Sequence, residues 1–159
     1  MSGLRIRAMP GSWPAYALPH LATDNCSVKS RATRRYNCIA WAAGEDFRWW
    51  WPDPMNKDYW PPGVPRVVTV EAFLLAYRTL GFRLCYDGAL QPRIEKIALY
   101  GKGQPGAEIP THAALQLQNG EWTSKIGQSE DIDHKTAQAV EGPLYGRVIC
   151  YLSRPRRAD

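Results

Sequence analysis

The sequence predicts a single α+β domain, with helices first and an antiparallel sheet after them, the helices packing on the sheet. Three observations carry that prediction. Val70, Phe73, Leu74, Tyr77 and Leu80 form one apolar stripe at helical spacing. Beyond Gly81 the pattern changes to short runs of strand-like residues. Between two of those runs lies Asn119-Gly120, the dipeptide that tight hairpin turns favour most.

Taken in order, residues 1–35 read as an irregular, Pro-punctuated lead-in with a basic end at Lys29, Arg31, Arg34 and Arg35. The run CIAWAAGE then places Ile39, Ala42 and Ala43 at helical spacing from Cys38, and Gly44 is a natural stop. A short helix is expected there. The following segment, WWWPDPMNKDYWPPGVP, holds five prolines and four tryptophans. Prolines at that density forbid a regular helix or central strand, so a long aromatic loop is expected. Thr69 is a fitting N-cap for the apolar stripe, which Gly81 terminates. The strands expected after it are Phe82–Tyr86, Ile94–Tyr100, His112–Gln118, Glu121–Ile126 and Tyr145–Leu152. The domain is read as residues 36–153, with residues 154–159 as a basic tail.

At 159 residues, with 45% hydrophobic and 22% charged residues, the chain suits one packed core and not a disordered polymer. Its net charge of +5 is mild and sits mainly before Cys38 and at Arg154, Arg156 and Arg157. No basic stripe is interleaved with readout residues, so nucleic acid is not an expected partner. No apolar run has secretory or membrane-spanning length, so no membrane partner is expected either. The protein is expected to be cytoplasmic, or delivered as an effector by another route. Cys26, Cys38, Cys85 and Cys150 form no C-x-x-C pair, and the three histidines are scattered. Neither a metal nor another cofactor is expected, and the thiols should be free in a reducing compartment.

The residues that can do chemistry are Cys38 and His112. Free N–H groups and the helix dipole stabilise a thiolate at a helix start, and an imidazolium nearby stabilises it further. The same N–H groups can hold a developing oxyanion. Against this stands the commoner fate of a free cysteine, which is burial as a small hydrophobe. Strand alternation puts His112, Ala114, Gln116 and Gln118 on one face, with Ala113, Leu115 and Leu117 on the other. A two-residue Asn-Gly turn pairs Leu115 with Ser124 and leaves Thr123 and Lys125 on the histidine's face. A three-residue loop with a bulge shifts the register and brings Ser124 there instead. Apolar Trp122 and Ile126 favour the first register.

YNCIAWA together with HAALQLQNGEWTSK resembles the compressed papain-like plan of NlpC-type cell-wall peptidases and CHAP amidases. From about Tyr36 the chain also resembles an uncharacterised bacterial family with YNCIAWAAG, WWWP, YWPPGVPR, PTHAALQL, GEWTSKIG and EDIDH motifs. The resemblance implies a papain-like α+β fold, with Cys38 as nucleophile and His112 as base. The third, orienting position falls near Ser124, where such peptidases usually carry His, Asn or Gln. His134 is a second candidate for it, and Thr123 and Lys125 are weaker ones. Tyr36 and Asn37 would shape the oxyanion side. Trp49, Trp50, Trp51 and Trp60 are candidate substrate-binding residues, with core closure as the alternative for at least two of them.

These readings predict a cysteine peptidase or amidase, a hydrolase or acyltransferase acting on an amide bond of a peptide or protein substrate. The competing expectation is a catalytically silent module that binds a protein partner through the Trp/Pro-rich loop.

Overall fold

Seven strands form one antiparallel sheet in the computed structural model, which describes residues 11–157. They are β1 (Cys26–Val28), β2 (Arg83–Cys85), β3 (Ile94–Lys102), β4 (Ile109–Gln116), β5 (Trp122–Lys125), β6 (Asp131–His134) and β7 (Arg147–Pro155). Their order across the sheet is β1-β6-β5-β4-β3-β7-β2. The helices are few: α1 (Cys38–Ala42), α2 (Val70–Arg78) and a 3-10 turn at Ala137–Val140.

The molecule is therefore a small β-rich domain, and the expected helix-packed, papain-like α+β architecture is not what forms. Two physical reasons account for the difference. Gly44, at a φ of +87°, ends α1 after five residues, and the proline-dense stretch from Pro52 allows no further helix before α2. Two further strands also join the sheet from segments with no apolar alternation. β1 pairs with β6, Cys26 opposite His134 and Val28 opposite Ile132. Residues 11–35 thus lie within the fold and not ahead of it, and Trp13, Leu18 and Leu21 are buried.

The sheet is covered on both faces. One face presents Ile97, Leu99, Ala113 and Leu152 to α1, α2 and the tryptophan loop. The other presents Ala98, Tyr100, Ala114, Trp122 and Ile132 to the 13–22 segment and the 3-10 turn. The period-2 alternation of β3 and β4 divides these residues between the two cores. Helix α2 forms where its stripe predicts, with the Thr69 side chain accepting from the Ala72 N–H. Its Phe73 and Tyr77 are fully buried, and the Tyr77 hydroxyl donates to the Ile39 carbonyl. That bond ties α2 to α1.

Asn37 places α1 against the tryptophan loop. Its Oδ1 accepts from the N–H groups of Ala40 (3.2 Å) and Trp50 (3.1 Å), and its Nδ2 donates to the Trp50 carbonyl (2.8 Å). All three bonds are buried. Asn37→Ala leaves those backbone groups without partners and is expected to cost about 2–4 kcal/mol. A urea denaturation midpoint lowered with an unchanged slope is the expected readout.

Candidate functional site

The β4–β5 hairpin closes by the three-residue route. Gln116 pairs with Trp122 and Leu115 with Thr123, while the Leu117 N–H donates to the Glu121 carbonyl. Gly120 takes a φ of +88°, the left-handed conformation that a glycine adopts without strain. The register favoured by apolar pairing, with Leu117 opposite Trp122, is not adopted. Trp122 is buried all the same, against the second core.

This register sets Ser124 beside His112. His112 Nε2 lies 3.0 Å from Ser124 Oγ, and Ser124 Oγ lies 2.8 Å from His134 Nε2. His134 Nδ1 is 2.7 Å from the Thr136 carbonyl. All three side chains are fully buried. A carbonyl can only accept, so His134 Nδ1 carries a proton, and in the neutral ring Nε2 is then an acceptor. Ser124 accordingly donates to His134 and accepts from His112 Nε2–H. The remaining nitrogen, His112 Nδ1, is a buried lone pair with no hydrogen-bond partner among the described residues. A buried polar atom left in this state calls for an explanation.

Burial holds both rings neutral. It pushes His112 well below the ordinary imidazole range, helped by nearby His134, and lowers His134 to about 4. Tyr145 lies flat on the His112 ring, centroids 3.9 Å apart, and Tyr100 meets it edge-on at 5.1 Å.

Cys38 approaches β4 from the helix face. The backbone amides of Ala113, the residue after His112, and of Ile39 and Cys38 itself favour the ionised form of its sulfur. The pairing of β5 with β4 stops at Leu115, so the Ala113 amide stands where that ladder has ended. Cys38 thus belongs to the core on the helix face, while His112 packs on Tyr100 and Tyr145 of the other core. No hydrogen bond joins Cys38 to His112, and the thiol is only 8% exposed. Its pKa is pushed up to about 11 by burial, against the opposing pull of those amides and of Lys125. At neutral pH the pair is thiol and neutral imidazole, not the thiolate and imidazolium that an open helix start would favour.

The other predicted residues are placed as follows. Tyr36 stacks on Trp41 (5.5 Å), and its hydroxyl donates to Asp131 Oδ2. Burial and that carboxylate push its pKa up to about 12. Its hydroxyl and the Asn37 amide are committed to these partners and do not line an oxyanion site. Thr123 accepts from the Trp41 indole at 3.0 Å, on the helix face. Lys125, on that face too, donates to the carbonyls of Thr33 and Ser129. Trp50 and Trp60 are core residues at 1% and 4% exposure, not substrate contacts. The Trp50 indole donates to Glu45 and that of Trp60 to the Pro65 carbonyl. Trp49 and Trp51 are half-buried, Trp49 donating to the Arg34 carbonyl and Trp51 meeting Phe73 edge-on. Tyr145 is the residue that sequence reasoning passed over. Its one local signal is the bracketing pair Gly142 and Gly146, both at positive φ.

A family of domains of unknown function, DUF7689, matches residues 27–153. The chain belongs to that family. The matched span contains the whole of the His112–Ser124–His134 relay and Cys38. No curated protein and no solved structure matches the chain. Among the described residues no group of His, Cys, Asp and Glu side chains could hold a metal, and no helix is long and apolar enough to cross a membrane.

The relay makes stability sensitive to acid. The folded-state pKa of His134, about 4, lies below the ordinary 6.5, so the unfolded chain takes up its proton first as pH falls. The stabilisation is complete above pH 6.5 and is lost on descending to about pH 4, amounting to about 3 kcal/mol for His134 alone. His112 adds a loss of the same sign. Urea titrations between pH 7.5 and 4 are expected to show this fall, and His134→Gln should reduce its slope.

Proposed function

We propose that the protein is a thiol-dependent hydrolase or acyltransferase acting on an amide bond of a peptide or protein. The observation that carries this reading is the unpartnered His112 Nδ1. The relay through Ser124 and His134 holds that ring in the tautomer whose free lone pair can accept a proton, one residue along β4 from the amide that favours an ionised Cys38. A neutral thiol and a neutral imidazole make proton transfer part of the attack itself. The step requires Sγ and His112 Nδ1 to come within hydrogen-bond reach: as Sγ bonds the carbonyl carbon, its proton passes to His112 Nδ1 and the carbonyl electron pair moves to oxygen. Collapse then expels the amine, which takes the proton back, and water or another amine acquires the acyl group. The Cys38 and Ile39 amides offset part of the burial cost of charge at the sulfur, while Asn37 occupies the Ala40 N–H.

A cytoplasmic setting is part of this reading and agrees with four free cysteines. A second reading, a catalytically silent module that binds a protein partner, is favoured by one specific observation: the 8% exposure of a thiol pushed up to about 11.

Acyl transfer from p-nitrophenyl acetate, mapped by mass spectrometry, separates the two. Cys38 is expected to be acetylated at neutral pH faster than the other three cysteines. His112→Gln, which keeps a donor toward Ser124 but has no base, should slow that reaction by roughly a hundredfold. Because the imidazole is pushed down, the rate should persist below pH 6 until the fold itself gives way. Cys38 that stays unmodified while the other thiols react, or that reacts equally in His112→Gln, leaves the silent module as the answer.

A further inference from the structure

The opposite end of the molecule carries a different surface. β2 is the last strand of the sheet, and among the described residues nothing pairs with its outer edge. Between β2 and α2 lies a groove of about 560 Å³. Phe82 and Leu152 are buried at its base, Leu74 and Leu75 line it from the helix, and Leu84 lines it from the strand. Leu84 is 62% exposed, and Tyr86, just past the strand end, is fully exposed. A soluble protein usually blunts an open edge and covers large apolar side chains; here the two features adjoin.

The charges around the groove are asymmetric. Glu71 stands in the first turn of α2, while Arg78 in its last turn and Arg83 on β2 stand at the other end. Among the described residues neither arginine side chain makes an ion pair or hydrogen bond, whereas Arg154 nearby is held by Glu95 at 2.6 Å. Two unpaired guanidinium groups beside an apolar slot and a free edge suit one kind of ligand.

We infer that β2 and α2 form a docking site for an extended acidic-apolar peptide segment of a partner protein. The segment adds as a strand to the edge of β2 and sets one apolar side chain in the groove. Its carboxylates then meet Arg78 and Arg83. Backbone pairing supplies the register, the groove selects an alternate side chain, and the arginines select charge. The site owes nothing to Cys38 or His112 and stands or falls apart from the thiol chemistry.

Fluorescence polarisation on the full chain tests it. The probe is a capped heptapeptide alternating glutamate and leucine, compared with a twin carrying lysine for glutamate and with an N-methylated acidic twin. The acidic peptide is expected to saturate, with amide shifts in NMR centred on residues 82–86, and both twins to bind roughly tenfold more weakly or worse. Arg78→Glu combined with Arg83→Glu should reverse the preference between the charged peptides, and circular dichroism should report an intact fold. Equal binding of the acidic and lysine peptides, no binding, or shifts away from β2 overturns the proposal. So does self-association abolished by Leu84→Glu, which would assign the edge to a second copy of the chain.

Discussion

Leu117 and Glu121 close the β4–β5 hairpin around Gln118, Asn119 and Gly120, and the rest of the candidate site depends on that offset. Side chains alternate along a strand, so moving β5 by one residue would turn Ser124 to the helix face and Thr123 and Lys125 to the other. The His112–Ser124 bond would be lost, and the Trp41 indole would lose its acceptor on Thr123. β6 takes its register from β5, with Trp122 opposite His134 and Ser124 opposite Ile132. The same offset therefore delivers the second histidine to the relay. One glycine at a positive φ makes this geometry inexpensive.

The two faces of the sheet then create one electrical environment. A thiol packed under α1 and an imidazole packed under Tyr145 are both cut off from water, and burial disfavours the charged form of each. Their uncharged state is the expected outcome of a site closed on both sides. Several of the polar groups that remain are tied down. Tyr36 and Ser30 take Asp131 Oδ2, Lys125 takes two carbonyls, and His134 takes the Thr136 carbonyl. The bare lone pair on His112 is one of five such buried atoms among the described residues, with Trp13 Nε1, Gln116 Oε1, Asp131 Oδ1 and Arg156 Nη2.

Some of this was readable in advance. The α2 stripe with its Thr69 cap, the start of α1 at Cys38 and the long proline-dense loop follow from spacing and from proline's missing N–H, which act over a few residues. The α+β prediction failed because β1 and β6 are three and four residues long and polar enough to hide their alternation. DIDH reads as a turn or helix cap until its neighbours in the sheet are known. The hairpin register differs from the favoured one for a related reason. Apolar Trp122 and Ile126 favour the face of Leu115, whereas the sheet has a core on each side and Trp122 joins the second.

The residue pattern alone determined α2 and the start of α1 and singled out Cys38 and His112 as chemically interesting, because capping, helical periodicity and side-chain type are short-range properties; Ser124 and His134 entered through the resemblance. Tertiary structure alone decided that Ser124 links the two histidines, that Trp50 and Trp60 are buried while Trp49 and Trp51 are not, and that Tyr145 covers His112. It also decided that the thiol and imidazole are neutral. Each of these outcomes depends on which segments, far apart in the chain, exclude water from one another.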